Sequence, residues 1–402
     1  MPSQYAPEYR VSIDGSPLPL AMRGSVARVS HTDGIVGSDR VELTLANQNL
    51  RWLDHPLLRV DKKLTLALGY ASAPLEEVFV GEITGVSPTF PSGGMPTINV
   101  VAQDFLQRLT VGAKYRSFAL DIPTVGKFPL PDLLVADLVA ATNLLVPAVD
   151  AAGAAVSFLA LMLAYAIDPL EARKVIRLQE GASDFEFLTG LARDNGWEMS
   201  IDHGSEPRGY VLHFRSLFSD FSPGVTLTWG KSLIEFTPKL STVGQIGAVS
   251  TRVWISAIRT EFVIVLGWDF DRAAFDFQLY PGLGALDPLL VGKSGGVLSM
   301  PPEGPANIPK MLLGELLPRL NSRQTGTGSA VGDTRLKAGV VVNLEGLGDQ
   351  FGGLYRITSA TNTIDGSGFR TTFEARKEVW FGSIPVPRGV GGLLRVQGQS
   401  VG

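Results

Sequence analysis

The stretch VELTL at residues 41–45 alternates apolar and polar side chains, as a β-strand with one buried face does. The stretch LTLAL at residues 64–68 repeats this pattern. Two further strands are predicted at residues 78–85 and 96–102, with clusters of Gly, Pro, Asp and Ser marking turns. This spacing of short strands predicts a small barrel or sandwich in the first part of the chain.

The same alternation returns in the last part of the chain, after an interval with a different period. Val225, Leu227 and Trp229 alternate with threonines, and DGSG at residues 365–368 has the glycines that a tight hairpin turn needs. Strands are predicted here at residues 225–229, 249–253, 262–268, 339–344, 354–364 and 369–376, with a short helix carrying Ile308, Met311, Leu312 and Leu316. The chain therefore contains two blocks of β-structure.

Between the two blocks the apolar residues follow a helical period. Leu134, Leu138, Ala141 and Leu145 recur at intervals of three and four residues, which predicts a helix with one apolar stripe that ends before Pro147.

A second helix is predicted to begin at SDFE, residues 183–186, which is a capping box. The Ser183 hydroxyl can accept a hydrogen bond from the Glu186 N–H, while the Glu186 carboxylate reaches back to the cap. Gly196 is expected to end this helix in the left-handed conformation. The buried stripe is then Phe185, Leu188 and Leu191. A hairpin at residues 197–201 and 210–214 follows, so this interval is predicted to be an α+β insert.

These patterns predict a mainly β fold with an α+β insert: two similar small antiparallel β-barrels plus a helical insert. We place the first barrel domain at residues 1–110, the insert at 111–216 and the second barrel domain at 217–381. The second barrel domain carries an inserted loop and helix region at about 269–335. Residues 382–402 are rich in glycine and are expected to form a flexible C-terminal tail.

The composition excludes several classes of function. The chain has 402 residues, with 35 Lys and Arg against 39 Asp and Glu, so its net charge of −4 does not favour nucleic acid or an anionic membrane as a partner. It has no cysteine and four histidines, which excludes disulfides and thiol chemistry and leaves few metal ligands. Charged residues are 18% of the chain, below the roughly 25% of typical soluble domains, so we expect other subunits to cover much of its surface.

Two segments bear on export and membranes. The first residues lack the basic and apolar regions of a signal peptide, so export by that route is not expected. Residues 151–167 form an uncharged run that as a helix spans roughly 25 Å, less than the ~30 Å hydrocarbon core of a bilayer. We expect this apolar segment to pack inside a subunit or against an adjacent component, and membrane contact is not expected.

Short motifs that resemble known sites lack their required context. GKS at residues 230–232 and 292–294 has no leading glycine at the spacing of a phosphate-binding loop. GKSGG at residues 292–296 is not followed by the helix that a nucleophile elbow requires, and GLG at 346–348 lacks the third glycine of a dinucleotide fingerprint. We interpret all of them as loops or turns.

The histidines are predicted to be surface or strand residues: His31, His55, His203 and His213. Asp54 and Asp202 directly precede two of them, but adjacent side chains point apart, and no histidine lies in a metal-ligand spacing. No acid pair stands out either. The sequence therefore predicts no catalytic, cofactor-binding or metal-binding residue, no cofactor and no enzymatic activity.

Several phrases carry a family resemblance through their order and spacing. They are VSIDG at residues 11–15, AQDFL at 102–106, RLQEGASDFEFL at 177–188, LKAGV at 336–340, GGLYRIT at 352–358 and GFRTTFEAR at 368–376. Together they resemble the phage late control protein D family, the baseplate hub proteins of contractile phage tails and contractile injection systems.

The resemblance implies a structural role. Members of that family form trimers in which two similar barrels per chain make a six-barrel ring, which joins a threefold spike to a sixfold tail tube. It therefore implies a homotrimer with a spike protein below, a tail-tube or tube-initiator protein above, other baseplate components beside it, and no sequence-specific binding of nucleic acid. Assembly is expected in the bacterial cytoplasm, as part of a phage tail or of an extracellular or cytoplasmic injection particle. Some relatives continue into an oligonucleotide/oligosaccharide-binding fold and a β-helix needle, whereas this sequence stops at Gly402, so the spike is expected to be a separate protein.

Two other classes of function stay open. A tail-associated cell-wall hydrolase would need paired acids or a metal cluster, which the sequence does not reveal. A β-rich carbohydrate-binding module would present exposed aromatic platforms, whereas Trp229, Trp254 and Trp268 lie in strand patterns and are predicted to be core.

Overall fold

The computed structural model describes residues 6–123, 126–149, 176–216, 221–241, 248–255, 259–269, 274–281, 297–299 and 308–381. Over these residues the chain is mainly β, with antiparallel sheets and an α+β insert, which confirms the predicted fold class. The apolar run at 151–167 and the tail at 382–402 lie outside the described residues. Within the described ranges, no helix has both the length and the apolar character needed to cross a bilayer.

The first β block contains seven strands and one core. The strands are β1 (Pro7–Ile13), β2 (Ser16–Pro17), β3 (Val26–Gly34), β4 (Arg40–Ala46), β5 (Lys63–Tyr70), β6 (Glu76–Thr89) and β7 (Thr97–Gln103). Its short helices are α1 (Leu20–Arg23) and the 3-10 turns Gln48–Leu50 and Phe105–Thr110. The apolar residues of VELTL and LTLAL are all buried, so the four strands predicted here are confirmed.

The insert places two small sheets against two helices. Its strands are β8 (Lys114–Ile122), β9 (Gly126–Pro129), β10 (Val146–Val149), β11 (Arg177–Ala182), β12 (Trp197–Asp202) and β13 (Val211–Ser216). Its helices are α2 (Asp132–Thr142) and α3 (Asp184–Asn195). The capping box at Ser183 and Glu186 is formed, and Gly196 has a φ of 64°, so both predicted ends of α3 are confirmed.

One buried carboxylate ties the elements of the insert together. Asp184, the first residue of α3, has a fully buried side chain and accepts hydrogen bonds from four side chains. The donors come from β8, from the residue that caps the end of α2, and from β11: Lys114, Arg116, Asn143 and Gln179. Although burial opposes ionisation, these donors hold the pKa of Asp184 below its usual value. This packing gives the acid of RLQEGASDFEFL at the start of α3 a structural role in this chain.

The second β block follows the insert. Its elements are β14 (Val225–Thr228), β15 (Leu233–Leu240), β16 (Ala248–Ile255), β17 (Thr260–Asp269), β18 (Ala274–Pro281), β19 (Val297–Ser299), α4 (Ile308–Asn321), β20 (Gln324–Val331), β21 (Val341–Glu345), α5 (Gly348–Phe351), β22 (Gly353–Asp365), β23 (Gly368–Arg376) and the 3-10 turn Val379–Phe381. Strands β16 to β19 form a separate four-stranded sheet. The predicted hairpin between β22 and β23 is confirmed, with Gly368 at a φ of 118°.

Apart from β16 to β19, the strands of both β blocks belong to one 13-stranded sheet. Its main path is β15-β20-β23-β22-β3-β4-β7-β6-β5-β1-β2. Outside this path, β21 pairs with β22, and β14 pairs with β21. We name the antiparallel pair β22 and β3 the seam; in it, Thr361 lies opposite Thr32 and Ile364 opposite Val29. Ile364 packs into the core of the first block, so each block helps to bury the other. The boundaries between the two barrel domains and the insert stay predictions.

The predicted apolar stripe of α2 is wrong. Leu134 and Leu138 are 45% and 49% exposed, whereas Val135 and Val139 are fully buried. Helix α2 has apolar residues on every side, so spacing alone does not identify the face that packs inward. The result is an exposed leucine face on α2, formed by Leu134 and Leu138.

The tryptophan predictions have mixed outcomes. Trp268 is buried, as predicted, but Trp229 is 60% exposed because β14 ends at Thr228, one residue earlier. The side chain of Trp254 is not among those described.

Candidate functional site

The first β block, the insert and the second β block meet around a polar cavity of about 190 Å³. The first block contributes Asp33 and Asp39, the insert contributes His203, and the second block contributes Lys337. Further charged or titratable residues of the insert complete the wall: Glu198, Asp202, His213 and Arg215. We name this region the junction.

The turn between β3 and β4 holds the acids of the junction in place. The Gly34 N–H donates to Asp39 Oδ1 at 3.2 Å, which closes the turn. The Asp39 N–H donates to Asp104 Oδ2 at 3.0 Å, and the Ser38 hydroxyl donates to the other oxygen of Asp104. Asp104 also caps the 3-10 turn after β7, because its Oδ1 accepts the Leu106 N–H at 3.0 Å. The acid of AQDFL is therefore a structural cap that belongs to the junction.

His203 brings the insert into contact with these acids. Its Nε2 is 3.1 Å from Asp39 Oδ2, and its Nδ1 accepts the Val80 N–H at 3.2 Å. Since Nδ1 is the acceptor, the proton of the neutral imidazole lies on Nε2 and is donated to Asp39. The loop that carries His203 approaches β6 closely: a Cβ at Gly209 would lie 2.6 Å from the Val80 Cβ, and Gly209 has a φ of 78°. Only glycine fits both requirements.

The second β block reaches the junction through the loop before β21. The Ala338 N–H donates to Asp33 Oδ2 at 3.2 Å, and the Ser359 hydroxyl donates to the Asp33 carbonyl at 3.1 Å. Lys337 donates to Glu76 Oε1 at 2.7 Å. The LKAGV phrase therefore lies where the two β blocks are fastened together.

Burial dominates the electrostatics of the junction. It raises the pKa values of Asp33, Asp39 and Asp104 each to about 7, and the charge of Asp39 adds to the effect on the other two. Burial also lowers the pKa of His203, although Asp104 and Asp33 oppose that shift. The junction therefore brings together titratable residues whose pKa values depend on burial and on one another's charge.

The hydrogen bonds restrict the chemistry of this group. Asp39, Asp104 and His203 have ligand-type atoms within 4.8 Å of one another. A metal on Nε2 of His203 would require a proton on Nδ1, directed at the Val80 N–H, so the observed bonds do not fit metal binding. For the same reason neither ring nitrogen is available as a catalytic base. The absence of catalytic, cofactor and metal residues stays a prediction for the whole chain.

A second ionic network links the insert to the end of β23. Arg356 Nε donates to Glu378 Oε1 at 2.9 Å, and both side chains are at most 1% exposed. Arg376 donates to Glu378 at 3.0 Å and to Glu198 on β12 at 2.6 Å. Trp380 donates to the other oxygen of Glu378. This pairing neutralises charges that would otherwise be buried without a partner.

The sequence prediction for His203 is wrong, because this residue is buried in a bend outside any strand. The prediction that Asp202 does not pair with it holds in the structure: Asp39, far away in the chain, is its partner. Sequence reasoning missed the cluster because Asp39, Asp104 and His203 come from three separate parts of the chain. The one local signal in the sequence was Asp104, whose position before the 3-10 turn Phe105–Thr110 indicates a capping residue.

Comparisons with known proteins identify the fold. No protein-family model and no curated protein matches the sequence. Among solved structures, the chain is similar to a 43 kDa tail protein of prophage MuSo2 from Shewanella oneidensis, with 13% identity, a TM-score of 0.59 and coverage of 92% of this chain and 98% of that one. It is also similar to a tail protein from Neisseria meningitidis, with 12% identity, a TM-score of 0.60 and coverage of 95% and 100%.

A third similar structure comes from a secretion system. It is an Escherichia coli component of the type VI secretion system that itself exhibits structural similarity to T4 bacteriophage tail proteins. The identity is 12%, the TM-score is 0.51, and the match covers 94% of this chain and 79% of that one. The chain therefore has the fold of phage tail proteins, which agrees with the resemblance found in its sequence.

Proposed function

We propose that this chain is a structural subunit of a phage tail or a related injection particle, and specifically its hub: a homotrimer that joins the sixfold tail tube to the threefold spike. The observation that carries the proposal is the match to two tail proteins over more than nine-tenths of the chain, with TM-scores of 0.59 and 0.60. The phrases of the sequence point to the same class of protein.

The architecture supports a role as an adaptor. A ring of three chains can present sixfold symmetry to a tube only if each chain supplies two comparable units. The two β blocks are candidates for these units, with the boundaries at residues 110, 216 and 381 that the sequence suggests. The seam between β3 and β22 holds the two blocks in one sheet, so they would keep a fixed relative position under load.

The surface supports assembly with other proteins. Leu134 and Leu138 form the exposed leucine face on α2, and Leu144 just after that helix is 77% exposed. Leucines exposed at adjacent positions are typical of surfaces that another protein covers. We propose a spike protein, a tail-tube or tube-initiator protein and further baseplate components as partners, and assembly in the bacterial cytoplasm. We propose no enzymatic role.

The experiment is to measure the mass of the purified full chain by native mass spectrometry, alone and with any tube and spike proteins that neighbouring genes encode. We expect a species of three times the 43.0 kDa of one chain, formed alone or on addition of the spike, with threefold symmetry in electron micrographs. A chain that stays monomeric at every concentration and binds neither partner would refute the hub role. Release of soluble fragments from cell walls would instead support the hydrolase. Binding on a glycan array would support the carbohydrate-binding module.

A further inference from the structure

One face of the second β block carries a shallow polar groove of about 350 Å³ across β15, β20, β23 and β22. The pairing register arranges its side chains in rows: Glu235 lies opposite Ser329, and Ser329 lies opposite Thr372. In the next row, one pleat along the strands, Thr327 lies opposite Glu374. Alternate residues of a strand point to the same face, so these five side chains share one face of the sheet. We name this surface the acidic groove.

Three polar side chains of the acidic groove are left without partners. Within the described ranges, neither Glu235 nor Glu374 forms an ion pair or a side-chain hydrogen bond, and no Lys or Arg lines the groove. Ser329 is only 8% exposed, and its hydroxyl also has no hydrogen-bond partner in those ranges. Nearly buried hydroxyls are normally paired, so a bound group that pairs with Ser329 would complete the site.

The chemistry of these side chains selects the group that would bind. Ionised carboxylates only accept hydrogen bonds, and a hydroxyl can accept one too, so the complementary group is a positively charged donor of several N–H bonds. The ammonium of Lys and the guanidinium of Arg have this property. The two carboxylates would repel a phosphate group. A sugar would need an exposed aromatic ring, whereas Phe373, the aromatic residue that lines the groove, is 3% exposed.

The spacing of the two acids indicates how a cationic segment would lie. Glu235 and Glu374 are separated by two strand spacings and one pleat, so their Cα atoms are roughly 12 Å apart. Four residues of an extended chain cover about this distance. Since alternate residues of an extended segment point to the same side, cationic residues four positions apart would both face the groove.

We propose that the acidic groove is a docking site for a basic segment of a partner protein. The segment is extended, and two of its Lys or Arg side chains, four positions apart, pair with Glu235 and Glu374, while one of them also donates to the Ser329 hydroxyl. Both acids are on strands of one sheet, which holds them at a fixed separation. This inference concerns the second β block alone and does not depend on the proposed function as a hub.

The test uses the full chain and two seven-residue peptides made of Ser and Gly, one with Arg and one with Glu at the second and sixth positions. In an NMR titration that observes the peptide, we expect the Arg peptide to bind at low salt with a Kd on the order of 0.1–1 mM. Its Kd should rise about fivefold or more in 0.5 M salt, because the charges are exposed and screened. The Glu peptide should not bind.

Single substitutions in the groove should weaken binding of the Arg peptide. Glu235→Gln and Glu374→Gln should each raise its Kd about threefold, and the double variant about tenfold. Ser329→Ala should raise the Kd about twofold. Since Glu235 and Glu374 are both exposed, their variants should fold like the wild type, which circular dichroism checks.

Glu180→Gln is the matched control, because Glu180 is equally exposed but lies on β11, in a different sheet. It removes the same charge and should leave the Kd unchanged. A wild-type chain that does not bind the Arg peptide at low salt would contradict the docking site. Equal weakening by Glu180→Gln and Glu374→Gln would also contradict it, since the peptide would then respond only to the net charge of the chain.

Discussion

The buried pair Arg356 and Glu378 offers the sharpest test of what holds the segment that follows β23. In the variant Glu378→Gln the side chain keeps its shape but loses its charge. Arg356, 1% exposed, then loses its carboxylate counter-charge, while its hydrogen bond to the Gly339 carbonyl at 2.8 Å remains. Arg376 keeps Glu198, so only one of the two guanidinium groups loses its main counter-charge.

The expected loss follows from that geometry. Removing one partner from a buried ion pair costs about 3–5 kcal/mol, because the remaining charge is left in a site of low dielectric constant. Since Arg376 retains Glu198, we expect the lower end, about 3 kcal/mol, or a factor of roughly 100 in the unfolding equilibrium. Replacing both members, as in Arg356→Met with Glu378→Leu, should cost less than the single change, because the buried guanidinium is then removed together with its counter-charge.

The assay is urea unfolding followed by circular dichroism and tryptophan fluorescence. Glu374→Gln is the matched control, because Glu374 lies on the exposed face of β23, and its expected effect is within about 0.5 kcal/mol. A loss below about 1 kcal/mol for Glu378→Gln would refute the assignment of this pair as a buried, charge-dependent link. So would a double variant that is less stable than the single one.

Three further predictions concern packing and caps, each measured as a free energy of unfolding. Gly328→Ala should destabilise by about 1–3 kcal/mol, because the new Cβ would lie 2.6 Å from the Phe373 ring; an unchanged stability would show that the ring moves aside freely. Val139→Ala should cost roughly 2 kcal/mol and Leu138→Ala less than about 1 kcal/mol. A larger loss for Leu138→Ala would mean that the leucine face predicted from the sequence is the buried one. Ser183→Ala should cost about 1 kcal/mol by removing the cap of α3, and Ser183→Asp should recover most of it.

Local patterns in the sequence were sufficient for most elements. The alternation in VELTL and the capping box at Ser183 and Glu186 depend on neighbours within a few residues, and both describe the structure correctly. Leu138 shows the limit of such patterns. Helix α2 has apolar residues on every side, and the tertiary contacts of Val135 and Val139 decide which side is buried.

The junction could not be predicted because its members meet only after folding. Asp39 and His203 are 164 positions apart, and nothing near His203 in the sequence indicates that its partner is Asp39 rather than Asp202. The seam is a similar case. Each of β3 and β22 has an ordinary strand pattern, but the pattern does not say that the two strands pair with each other.

The seam also has a consequence for biosynthesis. Thr32 and Thr361 are 329 positions apart, so β3 leaves the ribosome long before the strand that completes its edge has been made. Until then the nascent chain exposes an unpaired strand edge, to which a neighbouring chain could add instead. Closing so large a loop is also slow compared with forming local hairpins. Newly made copies would therefore be most vulnerable to aggregation until β22 has been synthesised and has paired with β3.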